Sequence, residues 1–103
     1  MKKVWKVKTD LTEEQNRKFV LGMSEEEHLL MTEMELDLSV DLIDGETITS
    51  FIICDDATIE KIKALLSKKS INFEVDDTTD FFATDGVALE EMTDEYIYRK
   101  VGA

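Results

Sequence analysis

Apolar and polar positions alternate most strictly from Met34 to Leu42, with methionine, leucine or valine at every even position and Glu35, Asp37, Ser39 and Asp41 at the odd ones. Successive side chains of a strand point to opposite faces, so this segment predicts a strand with one buried face. Asp44-Gly45 follows as a hairpin turn signal, since both residue types tolerate positive φ, and Thr47 to Cys54 predicts the returning partner. With a loop of two or four residues the even apolar set lies opposite Thr49, Phe51 and Ile53, because a shift of two preserves side-chain parity. The expected core face therefore carries Phe51 and Ile53, and the opposite face carries Ile48 and Ile52.

The same periodicities place the remaining elements. Val4 to Thr9 predicts a strand with Trp5 and Val7 inward and Lys6 and Lys8 outward. Thr12-Glu13-Glu14-Gln15 fits a capping box and starts a helix whose apolar face is Phe19, Val20 and Met23, with Gly22 as an expected left-handed terminator. Ser24-Glu25-Glu26-Glu27 fits a second box. Asp55 or Asp56 caps another helix, with Ile59, Ile62, Leu65 and Leu66 on one side and Lys68 and Lys69 near its terminal carbonyls. Ile71, Phe73 and Val75 then alternate with Asn72, Glu74 and Asp76 as a fourth strand.

The resulting order, β-α-β-β-α-β, predicts one α+β domain over residues 1–103. Its expected architecture is ferredoxin-like, an antiparallel sheet in the order 4-1-3-2 with both helices on one face. In that order the first and fourth strands are neighbours, so Lys6 and Lys8 meet Glu74 and Asp76, and Glu35, Asp37 and Asp41 line an edge strand. Ile48 and Ile52 would lie bare on the outer sheet face. A C-terminal helical segment built from Phe81, Phe82, Leu89, Met92 and Tyr96 or Ile97 is expected to cover them, the alternative being a homodimer through that face.

Charge changes the picture more than overall composition does. Acidic residues number 24 against 12 basic ones, for a net charge of −12, which works against phosphate backbones and anionic membranes as partners. The charge is also segregated: no lysine or arginine occurs between Lys18 and Lys61 or between Lys69 and Arg99. No apolar run approaches membrane-spanning length, no signal-peptide pattern follows Met1, and the lone Cys54 cannot form an internal disulfide, so a cytoplasmic protein is expected.

Candidate chemistry is sparse. His28 is the single histidine and has no serine or cysteine motif to pair with, and Cys54 precedes a helix start where Asp55 and Asp56 oppose a thiolate. The carboxylates of residues 76–91 do not match EF-hand spacing, and the glycines are isolated, so no metal, phosphate-binding loop or other cofactor is expected. The sequence thus predicts a non-enzymatic binding or regulatory protein, monomer or homodimer. It would meet a basic protein partner through Glu35, Asp37, Asp41, Asp76, Asp77 and Asp80. The alternative is a small-ligand sensor of the same architecture, a reading that rests on fold analogy.

Overall fold

A computed structural model describes residues 1–31 and 36–102. Strand β1 spans Lys2–Thr9, β2 Leu38–Asp44, β3 Thr47–Asp55 and β4 Phe73–Asp77. The helices are α1 Glu13–Leu21, α2 Glu25–Leu30, α3 Asp56–Lys68, α4 Thr79–Ala83 and α5 Asp94–Lys100, with a 3₁₀ turn at Leu89–Glu91. The four strands form one antiparallel sheet in the order β2-β3-β1-β4, the predicted order read from the other edge.

Local chemistry explains the helix starts. Thr12 accepts the Gln15 amide at 3.1 Å while the Gln15 side chain accepts the Thr12 amide at 3.0 Å, and Ser24 and Glu27 repeat the reciprocal arrangement at 3.2 and 2.8 Å. Asp55, rather than Asp56, caps α3 by accepting the Thr58 amide at 2.8 Å. Glu27 also ties α2 to the end of α3, lying 3.6 Å from the Lys69 ammonium. Gly22 departs from its expected role: its φ of −86° is right-handed, and its amide closes α1 onto the Lys18 carbonyl. The hairpin loop is the two residues Gly45-Glu46, with Gly45 at φ +48° in the first central position and Asp44 still paired in β2.

The pairing predicted across the hairpin holds for Leu38, Val40 and Leu42, opposite Ile53, Phe51 and Thr49, but β2 begins at Leu38: Leu36, expected on the same strand face, precedes it and is buried in the helix-bearing core, and Met34 lies outside the described residues. For the hairpin the layer on each face is the reverse of the expected one, whereas Trp5 and Val7 of β1 lie on the helix-bearing face as expected. Val7, Ile52 and Cys54 form a core with Ile59, Ile62 and Leu66 of α3, against which Phe19 of α1 and Leu30 of α2 pack. Val4, Val40, Phe51 and Ile53 form a second core on the other face, closed by Phe82, Met92 and Ile97. The C-terminal segment does cover a sheet face, but that of Phe51 and Ile53; Ile48 and Ile52 are buried on the helix-bearing face and offer no dimer surface.

Cross-strand register is the physical cause. Lys6 lies opposite Phe51 and Lys8 opposite Thr49, so the β1 lysines share a face with Phe51, and Trp5 and Val7 share one with Ile52 and Ser50. Lys6 and Lys8 also lie opposite Asp76 and Glu74, as expected. The molecule therefore has three layers, with the sheet in the middle and two apolar clusters that meet only across its strands.

Candidate functional site

The acidic positions fall into two groups at opposite edges of the sheet. On the β2 side, Asp37 is ion-paired with Lys2, and its hydrogen bond raises the Lys2 ammonium above its ordinary pKa. Asp41 is exposed on the helix-bearing face and accepts the Ser50 hydroxyl at 2.6 Å. It stands with Ser39 at a cleft of about 150 Å³ whose apolar walls include Phe19, Met31 and Ile62. Glu35 lies outside the described residues.

On the β4 side, Asp76 is exposed opposite Lys6. Asp77 accepts both the hydroxyl and the amide of Thr79, at 2.6 and 3.0 Å, and those two bonds hold its carboxyl below the usual range. Asp80 is exposed in the first turn of α4. Strands β3 and β1 separate this group from Asp37 and Asp41, so the five described residues do not form one continuous patch.

Further acids of the two stretches without lysine or arginine belong with these groups. Asp44 and Glu46 sit exposed at the hairpin tip, and Glu90, Glu91 and Asp94 are exposed on the C-terminal layer, whose helix α5 lies against β2. None of these five, nor Asp41, Asp76 or Asp80, forms an ion pair among the described residues. Other acids are internally compensated, including Asp37 by Lys2, Asp56 by Lys3 and Asp85 by Lys100. The long sequence gaps without lysine or arginine were the available signal for the uncompensated set.

Two side chains are distinctive for covalent chemistry, Cys54 and His28. Cys54 is buried at the end of β3, and burial first, then the neighbouring Asp55, Asp37 and Asp56, pushes its thiol up to about 12. Such a thiol is protonated at neutral pH. His28 lies in the last turn of α2, with its amide donating to the Ser24 carbonyl at 2.9 Å. Among the described residues no group of three or more histidine, cysteine or acidic side chains is arranged to hold a metal ion. No helix among them is long and apolar enough to cross a membrane.

No protein-family model, curated protein or solved structure matches this chain. Its site must accordingly be read from its own residues.

Proposed function

We propose that this protein is a non-enzymatic binding or regulatory protein that presents an acidic surface to a basic protein partner in the cytoplasm. The observation that carries this reading is the set of exposed carboxylates without ion-pair partners among the described residues: Asp41, Asp44 and Glu46 on the hairpin, and Asp76, Asp80, Glu90, Glu91 and Asp94 on the C-terminal half. Uncompensated charge of one sign steers an oppositely charged partner and speeds encounter, an effect that salt screens over about 8–10 Å. A net charge of −12 makes nucleic acid and anionic lipid poor direct partners.

The scaffold is read as ferredoxin-like, with α2 added to the first crossover and the C-terminal layer added beyond β4. The element order and the antiparallel order β2-β3-β1-β4 support that reading. In it the hairpin acids and the β4-side acids present two separate contact surfaces.

The deciding experiment is capture from native extract on the immobilised protein at low and raised salt. Two neutralised variants accompany it, Asp41→Asn/Asp44→Asn/Glu46→Gln and Asp76→Asn/Asp80→Asn. A basic protein released by salt and lost from one variant supports the reading and identifies the surface. Retention that ignores both salt and neutralisation refutes it.

A further inference from the structure

On the face covered by the C-terminal layer, the cover is incomplete. Helix α4 starts beside β1 and α5 ends over β2, leaving a groove of about 630 Å³ between them. Lys6 of β1, Thr49 and Phe51 of β3 and Leu42 of β2 line it from the sheet, and Phe81 and Lys100 line it from the C-terminal layer. The volume falls within the range of about 300–1,000 Å³ usual for small-molecule sites.

Two features give the groove a chemistry. Phe81 is 50% exposed: its ring meets the fully buried Phe82 edge-to-face, with centres 5.0 Å apart, and leaves aromatic surface open at the groove. Lys6 is half-buried among these apolar groups, and its ammonium forms no ion pair among the described residues even though Asp76 lies opposite in the register. Lys100, by contrast, is committed to Asp85 at 3.1 Å and to the Thr84 hydroxyl at 2.9 Å, with its ammonium 5.2 Å from the Phe81 ring centre. A lysine whose stem crosses apolar surface while its charge stays available is a point anchor for one anionic group beside an apolar body.

We propose that this groove binds a small organic carboxylate with an aromatic body, the carboxylate on Lys6 and the ring against Phe81, Phe51 and Leu42. The site lies on the face where the β1 lysines project, opposite Asp76 in the register and across the sheet from Asp41, and its ligand has the opposite charge to a basic partner.

The test is a titration of the ¹⁵N-labelled full chain with 2-naphthoate, followed by amide shifts, with 2-naphthylmethylamine as the charge-reversed control. The expected result is saturable shifts at Lys6, Leu42, Thr49, Phe81 and Val101, absent with the amine. Lys6→Gln should weaken naphthoate binding about tenfold or more while Lys6→Arg retains most of it, since a charge-assisted contact is lost in the first and kept in the second. Phe81→Ala, at a half-exposed position, should also weaken binding and gives a second variant that leaves the core intact. Any of three results overturns the proposal: no saturable shift at millimolar naphthoate, equal binding of the amine, or shifts that centre elsewhere and persist in Lys6→Gln.

Discussion

Thr78 bonds twice to the carbonyl of Val4, through its amide at 2.8 Å and its hydroxyl at 2.9 Å, and thereby fixes the start of the C-terminal layer to the first strand. The neighbouring Thr79 hydroxyl accepts the Val4 amide at 3.0 Å, and Val4 itself is fully buried. The two threonines are not equivalent. Thr78→Val leaves the Val4 carbonyl still accepting the residue 78 amide and should cost about 1 kcal/mol or less. Thr79→Val leaves a buried amide without its acceptor and should cost about 1–3 kcal/mol. Urea unfolding of both variants checks the order, and an equal cost would mean that water replaces the lost acceptor.

Phe82 is fully buried and meets Phe51 edge-to-face, with ring centres 5.4 Å apart. It closes the second core together with Met92 and Ile97, so Phe82→Ala should destabilise the protein by about 3–5 kcal/mol. Phe81→Ala removes a half-exposed ring and should cost far less. Thermal unfolding of the pair separates a core residue from a groove residue one position apart.

Acid should weaken the fold through caps as well as through ion pairs. The Thr58 amide, followed by the Thr58 hydroxyl, lowers the Asp55 carboxyl, and the Thr79 hydroxyl, followed by the Thr79 amide, lowers Asp77. A depressed folded-state pKa contributes stability that is present above the unfolded value of about 4 and is lost as pH falls through the folded value. Urea midpoints should therefore decline as pH drops below about 4. Asp55→Asn keeps an acceptor for the Thr58 amide and does not titrate, so its acid decline should be shallower than that of the native chain. An identical decline would remove Asp55 from the account.

Cys54 should be inert until the protein opens. With its thiol raised from 9.0 to about 12, the thiolate fraction at pH 8 falls roughly a thousandfold, and the side chain is only 1% exposed. Iodoacetamide should label it slowly in buffer and rapidly in denaturing urea. Fast labelling of the native protein would require frequent local opening at the junction of β3 and α3.

Much of the architecture was legible because it is written in short-range patterns. The alternation from Leu38 to Leu42, the Thr12 and Ser24 boxes and the Ile59-Ile62-Leu66 spacing each specify an element without reference to the rest of the chain, whereas Leu36, which the same alternation assigns to the strand, precedes β2 and packs into the helix-bearing core. The assignment of layers to faces was not legible, because it depends on which residue of β1 stands opposite Phe51. That residue is Lys6, and a lysine there reads as solvent-facing although its face is mostly covered. The candidate acids were visible one by one. Their division between two edges, and the compensation of Asp37 and Asp85 by Lys2 and Lys100, follow from register and from the path of the C-terminal segment.

The central position of the sheet has a consequence for the order in which the protein can become complete. A chain growing from its N-terminus holds everything required for the helix-bearing core once β4 has emerged, since Val7, Ile52, Ile59, Ile62 and Leu66 all precede it. The second core must wait for Phe82, Met92 and Ile97. During that interval Val40, Phe51 and Ile53 form a finished but uncovered apolar wall, the kind of surface on which nascent chains associate. The layer made after β4 is thus also what shields a newly made molecule from its neighbours.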